Sequence, residues 1–251
     1  MKKIVCTTII PFLFLLIWHN TAAKNIFSPL ILPSPQAVWH SFIEILTKNE
    51  LSVWPDALRT LYRMFAGLFL GIALGVPLGL GMGYLKTIYQ LFEFPVDFLR
   101  SIPATALIPL FLLILGLGEV AKISLVALVV TLLVCIHTTY GLRHAEPTRL
   151  LIGKTMCLKT FQIFRHILLP EALPHISIGI RIALSFSIIL VIVTEMFIGT
   201  TYGLGRRILD AQLVYRTSEM YALIFFTGLL GYALNSLYLS CEKKWVHWAG
   251  K

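Results

Sequence analysis

Charge is what this sequence has least of. Asp, Glu, Lys and Arg make up 13% of its 251 residues, whereas soluble domains carry about 25%. The deficit is gathered into windows with no charge at all: 4–23, 64–85, 101–118, 123–142 and 220–241. A sixth apolar stretch, 182–205, is interrupted once, by Glu195. Each window is near the ~20 residues a helix needs to cross roughly 30 Å of hydrocarbon. In that medium the backbone must satisfy its own hydrogen bonds, and a helix does so within one segment. The expectation is an all-α, polytopic membrane protein with six transmembrane helices.

Other absences narrow the chemistry. Cys6, Cys135, Cys157 and Cys241 contain no close pair, so neither a disulfide framework nor a metal site is expected. Paired carboxylates, clustered histidines and a nucleophile elbow are all missing, which argues against an intramembrane enzyme. Gly153-Lys154-Thr155 has the tail of a phosphate-binding loop. That loop needs a glycine five residues earlier, and position 148 is Thr. No cofactor is expected on this chain. The net charge of +9 is dispersed toward span ends, which fits headgroup anchoring and topology rather than nucleic acid. His137, well inside a span, reads as a packing residue.

Placing the N-terminus inside sorts the basic residues. Lys2, Lys3, Lys86, Arg100, Arg143, Arg149, Lys154, Lys159, Arg165, Lys243, Lys244 and Lys251 fall on the inner face. Lys24, Lys48, Arg59, Arg63, Lys122, Arg206, Arg207 and Arg216 fall on the outer face, and Arg181 lies at the start of span 5. The bias favours both ends inside. Residues 1–23 form the first span, although Lys2-Lys3, an apolar core and Thr21-Ala22-Ala23 also fit a cleaved signal peptide. Residues 24–58 are an extracytoplasmic segment. Ser34-Pro35 starts a helix there, and Val38, Phe42, Ile45 and Leu46 give it one apolar face for the membrane surface. Residues 59–251 form a five-helix core with an inner-face loop at 143–173, the longest polar stretch on that side. Pro170 and Pro174 are expected to break the helix before span 5.

Span 2 carries Gly67, Gly71, Gly75, Gly79 and Gly83, a stripe that lets another helix backbone approach. Glu195 is the only acid within a span, and such groups face a cavity or a partner. With Ser185, Ser187 and Thr194 it gives span 5 a polar side. Ser101 and Thr105 of span 3 join them as candidates for a translocation path, and Glu195 is expected to matter for transport more than for folding. Gly203-Leu-Gly205 followed by Arg206, Arg207 and Arg216 is a basic cluster suited to docking an extracytoplasmic partner.

Several of these segments resemble one family. Phe98-Leu-Arg-Ser-Ile-Pro-Ala-Thr-Ala-Leu-Ile-Pro-Leu-Phe111 with Gly116-Leu-Gly118, Phe161-Gln-Ile-Phe-Arg-His-Ile-Leu-Leu-Pro170, Gly179-Ile-Arg-Ile-Ala183 and Leu209-Asp-Ala211 are similar to permease subunits of bacterial ABC importers. The nitrate, sulfonate and taurine group is the nearest in pattern, over 33–251. The resemblance implies a bacterial inner-membrane permease for a small solute, an anion among the candidates. It also implies a second permease subunit in a two-fold dimer, two cytoplasmic ATPase subunits that hold ATP-Mg, and a solute-binding protein. Lys154, Cys157, Lys159, Phe161, Phe164, Arg165 and Pro170 then form the ATPase-coupling segment, with Lys154–Phe164 as its docking helix. The family's loop begins Glu-Ala-Ala, with a glycine four residues after the second alanine. Here those positions hold Leu151, Ile152, Gly153 and Cys157, so the acid and the glycine are absent. A secondary transporter or channel working without ATP is the other class open at this point.

Overall fold

The computed structural model describes residues 2–24, 26–48 and 52–245, with side chains from residue 9 onward. Lys2, Lys3, Cys6 and Lys251, which entered the charge and cysteine readings, lie outside the described side chains. Among the described residues there are helices and no strands: α1 (Lys2–Ala23), α2 (Pro35–Thr47), α3 (Trp54–Tyr84), α4 (Lys86–Ser101), α5 (Ile108–Leu115), α6 (Glu119–Arg143), α7 (Pro147–Thr155), α8 (Thr160–Ile163), α9 (Leu169–Phe197), α10 (Leu204–Leu213) and α11 (Thr217–Trp245). A 3₁₀ turn at Ala104–Leu107 precedes α5, and a π turn at Phe164–Leu168 precedes α9. The helices α3, α6 and α11, and the run from Thr160 to Phe197, are each long and apolar enough to span a membrane. A fifth candidate is broken: α4 and the segment Ala104–Leu115 meet at 93°. Pro103 causes the break, because it pushes Ile102 out of the helical region to φ −78°, ψ 126°.

The chain divides into two compact units, Met1–Arg59 with Thr201–Leu230 and Thr60–Thr200 with Gly231–Lys251. In the first, Ser34 caps α2 by accepting from the Ala37 amide, and Pro35 occupies the first turn, as the sequence requires. Val38, Phe42 and Ile45 are buried, which is the predicted apolar face. Phe42 meets Phe225 edge-on at 5.4 Å and Trp18 meets Tyr221 at 6.0 Å, so this face is covered by side chains of α1 and α11. Lys48 hydrogen-bonds Glu44 at the exposed end of α2 and holds that carboxyl below its usual pKa.

The second unit is built on three helices, and the glycine stripe of α3 is one of its two seams. A Cβ at Gly67 would lie 2.6 Å from Val126 Cγ1, at Gly71 2.4 Å from Val130 Cβ, and at Gly79 2.6 Å from the Cys135 carbonyl oxygen. At Gly83 it would meet Leu142 at 2.6 Å. The paired numbers rise together, so α3 and α6 run parallel in contact along the whole stripe. Thr139 of α6 reaches the Gly79 carbonyl at 3.2 Å, a bond that the missing side chain makes possible. The second seam joins α6 to α9. Gly141 admits His175 and Ala172, and Gly179 admits His137; numbers rise on one helix as they fall on the other, so this pair is antiparallel. His137 is thereby a packing residue, as expected.

Both prolines before span 5 lie inside a continuous helical run instead of ending it. At Pro170 the π turn is the reason. Leu169 N–H bonds back to Phe164 C=O, a wider loop than the α-helical one, and this makes room for a Pro170 ring that would clash with the carbonyl four residues back. The hairpin between spans 3 and 4 is tight, as its length predicts. It turns on Gly116 at φ 75°, a conformation open to glycine.

Replacing Gly79 with Ala should destabilise the protein by about 1–3 kcal/mol, because the new methyl meets a backbone oxygen that cannot move aside. Gly81→Ala, whose Cβ would touch only the Ile88 side chain at 3.4 Å, should be nearly neutral. Thermal unfolding of the two variants in detergent checks the contrast.

Candidate functional site

At the first turns of α6 the second unit gathers four charges. Arg63 of α3 sends Nε and Nη2 to the two oxygens of Glu119, at 2.6 and 2.7 Å, a fork-to-fork pair. Its Nη1 donates to Glu195 Oε1 of α9 at 2.6 Å, and Nη2 also reaches Thr200 Oγ1 at 2.9 Å. The Thr60 hydroxyl lies 2.9 Å from both oxygens of Glu195. Lys122 Nζ stands 3.7 Å from Glu119. Arg63 is 2% exposed and Glu195 0%, while Glu119 is 45% exposed. Two cations therefore balance two anions, and the cluster ties α3, α6 and α9 together at one end. Burying such charges is tolerable only because each finds several partners.

Glu195 meets a partner, one of the two surroundings expected for it: it is buried as an ion-pair partner of Arg63, and Lys122 is buried nearby. Ser187 and Thr194 are buried too, and their hydroxyls bond to Leu184 and Val191 carbonyls of their own helix. Ser185 alone of the α9 group is exposed. Ser101 and Thr105 are exposed at the elbow of the broken span, with Ser101 Oγ on the Asp97 carbonyl. The signal for the cluster was in the sequence, as charges at the matching ends of spans 2, 4 and 5, but their pairing depends on helix register.

The opposite end of α6 leads into residues 144–168. Lys154–Phe164 is not one helix. α7 ends in a Schellman-type turn, with Leu158 N–H on Gly153 C=O and Cys157 N–H on Lys154 C=O. Cys157 occupies the left-handed position of that motif, at φ 53°, where a glycine is favoured. It is the position at which the resembling family has its glycine. Lys159 then caps α8, its amide bonded to Gln162 Oε1. Gly153 lets α7 fold back closely, since a Cβ there would meet Ile167 at 2.7 Å. Leu151, Ile152, Met156 and Phe161 are all exposed, Phe161 by 68%, among exposed Arg149, Lys154, Lys159 and Arg165. Phe164 instead packs edge-on to Tyr84 at 5.1 Å, and Pro170 is half-buried in the first turn of α9. The predicted coupling residues thus split into an exposed surface and the hinge that supports it.

In the first unit the three arginines are all paired. Arg207 bonds Ser52 C=O, Asp56 and Glu219; Arg206 meets Asp210 at 2.9 Å and Arg216 meets Glu219 at 3.1 Å. Asp56 also accepts from the Gly203 amide. Three acids therefore offset three bases, and the expected free basic patch is a neutral network.

No group of His, Cys, Asp or Glu able to hold a metal occurs among the described residues. A helical membrane protein with a close-packed span trio and an exposed apolar–basic loop at one end is the form of a transport permease. The family of binding-protein-dependent transport system inner membrane components matches residues 67–244, and the chain belongs to it. A putative aliphatic sulfonates transport permease of Bacillus subtilis (strain 168) is 29% identical over 240 residues, covering 96% of this chain and 86% of that protein. The protein of the same name from Escherichia coli (strain K12) is 32% identical over 232 residues, with 92% and 87% covered. The taurine transport system permease of Escherichia coli is 26% identical, with 94% and 87% covered. An inward-facing structure of the MetNI methionine ABC transporter shares the fold at TM-score 0.66 and 21% identity, over 79% of this chain and 96% of that one. This chain is accordingly a multi-pass inner-membrane permease subunit of an ABC importer, coupling a translocation path to a separate ATPase and working with a binding protein. A secondary transporter or channel is set aside.

Arg63→Met should cost about 3–5 kcal/mol, because Glu195 is left buried without its cation. The double variant Arg63→Met/Glu195→Met should recover most of that loss, and thermal unfolding of both in detergent measures it. Cys157→Gly removes left-handed strain of about 1 kcal/mol, partly offset by greater freedom when unfolded. It should slow amide exchange at residues 157–159.

Proposed function

We propose that the chain crosses the membrane six times with both ends inside, and that residues 24–58 lie outside against the lipid interface. Two copies enclose one path, through which two ATPase subunits, carrying the ATP-Mg, drive a small organic anion of the aliphatic sulfonate class. The names of the relatives support the solute class. The charge count supports the orientation more strongly once Arg63 and Lys122 are seen to be buried in ion pairs, since neither then acts as a free loop charge. Four spanning helices, the broken pair and the apolar helix Ile9–Ala23 are compatible with six crossings.

One observation carries the coupling role. The α7–turn–α8 segment exposes large apolar side chains among cations, and it is fixed to α9 through the π turn. Exposed apolar groups of this kind mark an interaction surface. A rigid helical hairpin seated in a groove of the ATPase converts closure of that partner into movement of α9 and of the helices packed on it. Charge reversal at Arg206 and Arg207 tests the docking of the binding protein on the other side; its effect should be on geometry more than on long-range steering, because the network is locally neutral.

Phe161→Asp should release the ATPase, or leave it hydrolysing ATP without uptake, at normal membrane levels of the permease. A buried unpaired charge at such an interface costs several kcal/mol, on the order of 2–5. Co-purification and uptake in vesicles measure this, and retention of both would remove the coupling role. Leu151→Glu should leave coupling intact or tighten it.

A further inference from the structure

α9 carries one charge that no other feature of the fold accounts for. Arg181 is exposed, and no carboxylate of the described residues lies within 4.0 Å of it. Its depth follows from the seam with α6. Gly179 faces His137 and Gly141 faces His175 in the antiparallel pair, so Arg181 stands level with Cys135. Cys135 is two to three residues from the middle of the charge-free window 123–142, or about 4 Å at 1.5 Å per residue. The nearer end of that window, at Leu142, is about 10 Å away, and Ser177, one turn from Arg181, bonds Glu242 of α11 at 2.8 Å, so Arg181 stands about one turn inside the polar end of the helix pair. The register is checked independently at the far end, where the same pairing sets Glu195 beside Glu119 and Lys122 and the ion pairs form.

A guanidinium inside a span must face water or a partner charge. The polar residues of α9 separate on this point. Ser187, Thr194 and Glu195 turn inward to the helix trio, whereas Arg181 and Ser185, one turn apart, share the exposed face. The elbow of the broken span is the second observation. Its 3₁₀ turn packs against both α9 and α6, and Val96, shortly before it, shares a core cluster with Leu132 and Cys135, so the elbow is also at membrane depth. Non-helical backbone at such depth is tolerated only inside protein or along a water-filled cavity. Thr105 is exposed there.

The geometry points to Arg181, with Ser185 beside it, as the anion-contacting position of the translocation path, where the sulfonate or carboxylate head of the solute is held by the guanidinium in transit. Glu242 of α11 accepts from the Ser177 hydroxyl at 2.8 Å and makes no ion pair with Arg181 within 4.0 Å. The planar fork of arginine matches the oxygens of a sulfonate in a way that lysine does not. This inference rests on the solute class proposed above.

The test uses the complete importer in vesicles, with ethanesulfonate and taurine as probes. Arg181→Gln should lower uptake at saturating solute at least tenfold, with assembly and basal ATP hydrolysis unchanged. Arg181→Lys should restore part of the rate, and Ser185→Ala should raise the concentration needed for half-maximal uptake. Wild-type uptake by Arg181→Gln would overturn the role of Arg181 alone, and so would loss of the permease dimer in that variant, which would make the residue an interface contact. A wild-type importer that moves neither probe nor any other anion would overturn both this role and the solute class.

Discussion

Close approach of helix backbones is the constraint on which the second unit depends. Inside a membrane, apolar side chains gain little by leaving lipid for one another, so helices associate through shape, dispersion and a few polar bonds. The α3 stripe and the glycines of the α6–α9 seam supply that shape. Because the contact distances leave no room for a methyl group at Gly71 or Gly79, the three helices have one register. Every later feature inherits it. Arg63, Glu119 and Glu195 can meet only if α3 and α6 are parallel, α6 and α9 antiparallel, and none of them slips by a turn.

The ionic cluster then acts on a frame that is already aligned. It closes one end of the trio with charges that sum to zero, while the opposite end leads into residues 144–168. These two ends are separated by the length of α6, 25 residues or roughly 37 Å. In this network Glu119 is half exposed while Glu195 is wholly enclosed.

Much of this was legible in the sequence. Four spans and a broken fifth followed from charge-free length, α2 from Ser34-Pro35 and its apolar spacing, and the role of the α3 glycines from their four-residue period. The features that were not legible depend on pairing across helices. Glu195 looked like a lone acid in span 5 because its partners lie 132 and 135 residues away. Arg206, Arg207 and Arg216 looked like a basic patch because Asp56 is remote in sequence and Glu219 had no assigned direction. Pro170 misled for a different reason: a proline rule tuned to α geometry does not foresee a π turn that accommodates the ring. Cys157 was noted only as a missing glycine, yet the backbone there keeps the glycine's conformation, so the turn is retained without the residue that favours it.

The π turn has one more effect, on azimuth. A five-residue hydrogen-bonded loop inserted into an α-helix adds about one residue to the turn, and so rotates the segment before it by about 100° relative to the helix beyond it. The direction in which α8 presents Phe161 and the direction in which α9 presents Arg181 are therefore offset around a common axis by this one turn. Loss of a single residue between 164 and 168 would change the phase between the two faces while leaving each face intact.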